Sequence, residues 1–161
     1  MSELLPDDAA KPRRPSVSLK GRALRLLAAR EHSRGELERK LAAYEQTPGQ
    51  LAGVLAELQA KDFISEARVA DSVVNRRAAK FGAARLKHEL QGKGLSADVV
   101  AEAVRGLKAT ELSRAAALWR KKYGEPAPDA AGRLKQMRFL AARGFSGDVI
   151  RRVVAGAGDE E

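Results

Sequence analysis

Residues 81–100 read FGAARLKHELQGKGLSADVV and contain the signals for one helix, its end and the start of another. Leu86 and Leu90 are four residues apart, so they lie on one face of a helix. Gly94 can adopt the left-handed backbone conformation that ends a helix. Ser96 can then cap the next helix through its hydroxyl oxygen. The stretch therefore predicts two short helices joined by a tight turn.

The same pattern returns fifty positions later, where residues 140–150 read LAARGFSGDVI. A third unit precedes both, because Ser33 and Glu36 form a Ser-x-x-Glu capping box that starts a helix. Three-helix units in tandem stack, since each covers an apolar face that its neighbour leaves open. The sequence predicts an all-α fold, an elongated and slightly curved tandem array of three three-helix repeats with about nine short helices. A compact helical bundle is the alternative.

The predicted boundaries follow the cap and turn signals along the chain. Thr110 is predicted to cap the seventh helix, which separates the second repeat from the third. Tyr44, Phe63, Phe81 and Trp119 are predicted to lie in the interior, and Leu134 to line the eighth helix. The predicted segments are a disordered leader (1–18), three-helix repeats over 19–66, 67–108 and 109–155, and an acidic tail (156–161).

Composition limits the class of protein. Aromatic residues make up 4% of the 161-residue chain, which favours an aliphatic, helical core. There is no cysteine, which excludes disulfides and thiolate metal sites. No apolar run approaches the roughly twenty residues of a membrane span. The sequence predicts a soluble cytoplasmic protein with no membrane contact.

Positive charge is concentrated in the second half of the chain. The net charge is +9, yet residues 76–152 alone carry eighteen basic and seven acidic side chains, a net charge of +11. A field of this sign attracts polyanions such as nucleic acid. The alternative is a basic surface that has no specific partner.

No catalytic, metal or cofactor site can be recognised in the sequence. His32 and His88 are the only histidines, and neither has a partner at metal-ligand spacing. We interpret both as solvated surface residues. No Gly-x-x-x-x-Gly-Lys-Ser/Thr loop is present to bind nucleotide phosphates. We expect no enzymatic activity, no metal and no cofactor.

The basic side chains of the second and third repeats are therefore the candidate contact residues. They alternate with apolar positions on predicted helices, and sequence alone does not select among them. The candidates are Arg76, Arg77, Lys80, Arg85, Lys87, Lys93, Arg120, Lys121, Lys122, Arg133, Lys135, Arg138, Arg143, Arg151 and Arg152.

Several of these motifs together resemble the RecX family. The segments that carry the resemblance are KDFISEARVA (61–70), NRR (75–77), KFG (80–82) and RLKHELQGKGL (85–95), with ALRLLAAREHS (23–33) and ELERKL (36–41) in the first repeat. The resemblance covers roughly residues 19–155. It departs from the family pattern at Asp62, where a glycine is usual, at Ser65 and Glu66, where an acidic pair is usual, and at Val69, where an aromatic residue is usual.

The resemblance implies a regulator of the bacterial recombinase RecA in DNA repair, recombination and the SOS response. Such a protein binds in the groove of the RecA–single-stranded DNA filament, where it blocks extension or promotes disassembly. Strand exchange, ATP hydrolysis and co-protease activity then fall. The implied partners are the RecA filament and single- and double-stranded DNA, contacted through phosphates, and the implied state is a monomer. There are two alternatives: a non-specific DNA-binding protein that acts without RecA, and an adaptor for an acidic protein.

Overall fold

The computed structural model of the protein describes residues 16–156. Within that range the chain forms eight α-helices, one 3-10 helix and no strand. The helices are α1 (Leu19–Ala29), α2 (Arg34–Leu41), the 3-10 helix (Ala42–Tyr44), α3 (Gln50–Ala60), α4 (Glu66–Arg77), α5 (Ala83–Gly92), α6 (Ala97–Lys122), α7 (Ala130–Ala142) and α8 (Gly147–Val154). Most of the predicted leader and tail lie outside the described residues, but Ser18 caps α1 by accepting a hydrogen bond from Gly21.

Three separate apolar cores confirm the all-α, three-unit architecture. The first core is formed by α1, α2 and α3 around residues such as Leu37 and Leu55. The second unit packs α4 and α5 against the N-terminal part of α6, with Leu86 and Leu90 fully buried. The third unit packs α7 and α8 against the C-terminal part of α6, which contributes Trp119. Each unit buries its own aliphatic side chains, which is the main source of its stability.

The prediction that α6 is two helices was wrong. Thr110 does not cap a helix, because its hydroxyl hydrogen-bonds back to the carbonyls of Gly106 and Leu107, each at 3.4 Å. No proline interrupts this part of the chain, and both halves of the helix have a core to cover. Val104 faces the second core and Ala115 the third. The predicted boundary between residues 108 and 109 therefore falls inside one continuous helix.

The turns predicted from glycine form as expected. Gly94 and Gly144 have φ values of 76° and 85°, in the left-handed region that residues with a Cβ rarely adopt. Ser33 and Glu36 form both hydrogen bonds of the capping box. The prediction that the Ser96 hydroxyl caps α6 was wrong: Ser96 is the N-cap residue of α6, but its side chain accepts no hydrogen bond there.

One docking rule joins the units at both junctions. The turn between the last two helices of a unit rests on the turn between the first two helices of the unit before it. At the first junction the Ser33 hydroxyl donates to the Lys93 carbonyl at 2.7 Å. At the second, the Gly82 amide donates to the Arg143 carbonyl at 2.8 Å. A Cβ built on Gly82 would lie 2.3 Å from the Gly144 oxygen, so the second contact requires a glycine.

Charged side chains complete the first junction. Glu36 is buried and pairs with Arg30 at 2.8 Å and with Lys93 at 3.0 Å. Burial alone would raise the pKa of Glu36, but hydrogen bonds from Arg30, Lys93 and the Ser33 amide outweigh it and lower the pKa to about 2. Arg68 of α4 pairs with Glu31 across the same junction at 2.9 Å.

His32 is buried at this junction, so its interpretation as a solvated residue was wrong. Only 1% of its surface is exposed. Its Nδ1 lies 3.0 Å from the Arg30 carbonyl, and its Nε2 lies 3.0 Å from Nζ of Lys40. Burial lowers the pKa of His32, which favours the neutral ring. The capping turn before α2 keeps the His32 ring buried. The polar residues on either side of His32 in the sequence did not indicate this burial.

Three predicted interior residues are half exposed instead. Phe63 is 49% exposed, because the next residue, Ile64, enters the first core in its place. Tyr44 is 48% exposed and lies on the 3-10 helix, with the guanidinium of Arg22 3.8 Å from its ring centre. Leu134 is 45% exposed on α7.

Replacing the junction glycine tests the docking rule. We expect Gly82→Ala to lower the free energy of unfolding by about 3 kcal/mol, because its Cβ would overlap backbone atoms of the third unit. Gly92→Ala is the matched control, since a Cβ there meets nothing within 4 Å. Urea unfolding followed by circular dichroism measures both. Equal stability of the two variants would contradict the close contact.

The buried carboxylate of the first junction gives a pH-dependent prediction. We expect Glu36→Gln to lower the free energy of unfolding by about 1–3 kcal/mol near pH 7. The folded-state pKa of Glu36 is about 2, below its ordinary value of 4.5. The contribution of its charge is therefore present above pH ~5 and lost as the pH falls toward 2.

Urea unfolding over that pH range measures this effect. The stability difference between the wild-type chain and Glu36→Gln should shrink as the pH falls. Glu38→Gln is the control, because Glu38 forms only an exposed pair with Arg34 at 3.4 Å. A difference that stays constant down to pH ~2 would contradict the assignment.

Candidate polyanion-binding groove

A groove of about 540 Å³ runs along the junction between the second and third units. Four cationic side chains line it, from the end of α4, the end of α6 and the turn after α7: Lys80, Lys121, Lys122 and Arg143. Its apolar floor is formed by Ala79, Ala117, Leu118 and Phe139. We call this feature the junction groove.

Helix ends explain why the cations are there. Lys80 follows α4, Lys121 and Lys122 end α6, and Arg143 follows α7. A cation is favoured at a helix C-terminus because the backbone carbonyls give that end a partial negative charge. The docking of Gly82 on Arg143 then brings these helix ends to one groove.

Two phenylalanine rings organise the guanidinium groups beside the groove. The guanidinium carbons of Arg77, Arg85 and Arg143 lie 4.5, 4.2 and 5.5 Å from the ring centre of Phe81. Arg143 also lies 5.2 Å from the ring of Phe139. Such cation–π contacts restrict the side chains and keep their charge near the surface. Phe81 is partly buried and packs against the second core, so its predicted interior position is confirmed in part, and the guanidinium groups contact its ring.

Arg114 holds the junction groove together and was missing from the predicted set. It lies half-buried on α6 and donates hydrogen bonds to the carbonyls of Ala78 (2.6 Å), Phe81 (2.7 Å) and Leu107 (2.7 Å). Burial lowers the pKa of Arg114. No sequence pattern pointed to this role, because two of its three partners are backbone carbonyls more than thirty residues away along the chain.

The predicted contact residues do not form a single surface. Lys80, Lys121, Lys122 and Arg143 meet in the junction groove, and Arg77 and Arg85 lie beside it around Phe81. Arg77 also pairs with Glu89 at 2.8 Å. Arg120 is exposed in the last turn of α6, as is Arg76 in the last turn of α4.

The remaining candidates lie elsewhere. Lys93 is bound to Glu36 at the first junction and its side chain is 21% exposed. Lys87 lines a different groove, between α5 and α6, with Arg105 and Lys108. Four lie exposed on α7 or α8, where Arg133 and Arg151 share a shallow groove: Arg133, Lys135, Arg151 and Arg152. Arg138 is also exposed on α7.

Residues 16–156 contain neither a metal-binding cluster nor a membrane-spanning helix. In that part of the chain no three His, Cys, Asp or Glu side chains are grouped so that they could hold a metal ion. None of the helices described there is both long enough and apolar enough to cross a bilayer. His88 is exposed on α5.

Comparison with known proteins gives a consistent result over nearly the whole described chain. Residues 20–58, 65–104 and 109–154 match the first, second and third three-helix domains of RecX. The regulatory protein RecX of Leptothrix cholodnii is 54% identical over 141 residues, which cover 88% of this chain and 90% of that protein. RecX of Ralstonia nicotianae is 45% identical over 148 residues, 92% of each.

Solved structures agree at the level of the fold. The crystal structure of RecX from Lactobacillus salivarius superposes with a TM-score of 0.72 at 20% sequence identity. The superposition covers 85% of this chain and 92% of that chain.

Arg114 can be tested as the side chain that supports the groove. We expect Arg114→Lys to lower the free energy of unfolding by about 2 kcal/mol, because an ammonium group cannot reach three carbonyls with the fork of a guanidinium. Arg76→Lys is the control, since Arg76 is exposed and should change stability by less than about 0.5 kcal/mol. Thermal unfolding measures both, and an unchanged Arg114→Lys would contradict the supporting role.

Proposed function

The chain belongs to the RecX family of regulatory proteins, and we propose that it is a negative modulator of the RecA recombinase. In this proposal it binds in the groove of the RecA–single-stranded DNA filament and blocks extension or promotes disassembly. Strand exchange, ATP hydrolysis and co-protease activity fall as a result. The proposal assigns it to the cytoplasm, where such filaments form, and gives it no catalytic step of its own.

The junction groove is the observation that carries this proposal. Its four cations surround an apolar floor, and no acidic side chain lines it. Phosphates can therefore contact these cations without repulsion from a neighbouring carboxylate. Each neutralised phosphate releases condensed counterions, which makes binding strongly dependent on salt. No Asn or Gln lines the groove to contact adenine, and we propose that its lysines and arginine contact phosphates.

The tandem arrangement supports binding to a repeating target. Cations line three separate grooves: the groove between α5 and α6 of the second unit, the shallow groove between α7 and α8 of the third unit, and the junction groove between these two units. Weak contacts made by linked units reinforce one another when the target presents sites at matching distances. A nucleoprotein filament presents such a repeat, whereas a single small anion does not.

The second candidate function is non-specific DNA binding that is independent of RecA. The same cations favour it, and it would leave recombinase activity unchanged when the protein is scarce. An adaptor for an acidic protein would instead bind no DNA at physiological salt. A titration of RecA's DNA-dependent ATPase with this protein separates all three functions.

Charge reversal in the junction groove tests the proposal. We expect Lys121→Glu with Lys122→Glu to raise the concentration for half-inhibition of RecA's ATPase about tenfold, and to reduce the salt slope of DNA binding by about 1.5 units. The control is Arg25→Glu with Arg39→Glu, which makes the same change of charge at two exposed positions of the first unit. Helicity should be unchanged in both.

The outcomes are distinct. Equal inhibition by the groove variant and the control would contradict a role for the junction groove. A wild-type protein that binds DNA but leaves the ATPase unaffected would instead support the RecA-independent function.

A further inference from the structure

A second groove, of opposite charge, lies between α4 and α6 of the second unit and has a volume of about 560 Å³. Its floor is apolar and includes Ala70, Val74, Val99, Ala103 and Leu107. Three carboxylates stand around that floor: Asp71, Asp98 and Glu102. No cationic residue lines it. We call this feature the acidic groove.

The carboxylates of the acidic groove are largely unpaired, in a chain whose net charge is +9. Among residues 16–156, neither Asp71 nor Asp98 forms an ion pair or a side-chain hydrogen bond. Glu102 pairs only with Arg105, three residues along its own helix. In this part of the chain, the Asp71 and Asp98 carboxylates are left without an ion pair, and Glu102 has one exposed pair of the kind that contributes little. They would repel a phosphate backbone, so the groove does not suit DNA.

Gly106 leaves the middle of α6 open beside these carboxylates. A Cβ built there meets no atom within 4 Å, so packing within the protein does not require a glycine at this position. Glycine is less favourable than alanine inside a helix. Gly106 lines the acidic groove, and its missing side chain lets another backbone or a bulky side chain approach the helix closely.

We propose that the acidic groove binds a cationic, amphipathic segment of a partner protein. Small apolar side chains of that segment would fill the floor over Ala103 and Gly106, while its lysine or arginine residues pair with Asp71, Asp98 and Glu102. The inference deepens the proposed function and rests on it in one respect. It assigns this groove to the protein of the filament, and the junction groove to the nucleic acid.

A single charge reversal tests the rim of the groove. Asp71→Lys should raise the concentration for half-inhibition of RecA's ATPase at least fivefold, whereas its affinity for bare DNA should equal that of the control. The control is Glu125→Lys, which makes the same charge change at an exposed residue of the third unit. If the two variants inhibit equally, or if Asp71→Lys differs from its control only in binding bare DNA, the proposal is overturned.

A second pair of variants tests the floor without changing charge. Gly106→Leu should weaken inhibition at least fivefold by filling the groove, and Gly106→Ala should keep near wild-type inhibition. Circular dichroism melting checks that both are folded. If both variants inhibit like the wild-type chain, the groove is not occupied by the filament.

A direct binding assay separates this inference from the proposed function. The probe is a fluorescein-labelled three-turn peptide with lysines on one face and alanine and leucine on the other, compared with its glutamate-for-lysine counterpart. The lysine peptide should bind the wild-type chain at least tenfold more tightly than it binds Asp71→Lys. Equal binding to the two chains would overturn the proposal that the acidic groove binds a cationic segment, even if the ATPase is inhibited. Peptide binding by a wild-type chain that does not inhibit the ATPase would support the acidic groove as a binding site but reject its assignment to RecA. Self-association of the wild-type chain that Asp71→Lys abolishes would assign the groove to a second copy and overturn the proposal.

Discussion

The close contact between the backbones of Gly82 and Gly144 fixes the relation between the second and third units. A side chain at either glycine would push the units apart. The contact also brings cationic side chains together, because it places Arg143 beside Lys80 and beside the end of α6. The junction groove and the contact of the Arg143 guanidinium with the Phe81 ring both depend on that spacing.

The two junctions follow one rule but use different interactions. Backbone contacts and a shared helix join the second unit to the third, and these depend little on pH or salt. The first junction is joined largely by charged side chains around the buried Glu36. Buried ion pairs stabilise a geometry only while every partner is present. The first unit is therefore the one whose position responds most to acid.

Sequence patterns predicted what is local and missed what depends on a neighbour. Glycine turns and serine caps act within a few residues, so the repeat and its helices could be predicted. The continuity of α6 could not, since Thr110 is a good cap in isolation and becomes helical because two cores cover the helix around it. The excess of cations was evident from counting, but the selection of Lys121 and Arg143 from fifteen candidates required the docked units.

The continuity of α6 has a geometric consequence. Its 26 residues span about 39 Å without a hinge, so they set a fixed distance between surfaces on the second and third units. The connection from α3 to α4 is only five residues long and contains no helix. The second and third units are therefore held at a fixed spacing, whereas the first unit is joined by a short non-helical connection. If the repeat distance of a bound target changed, the second and third units would lose their match to it first, while the first unit could still adjust.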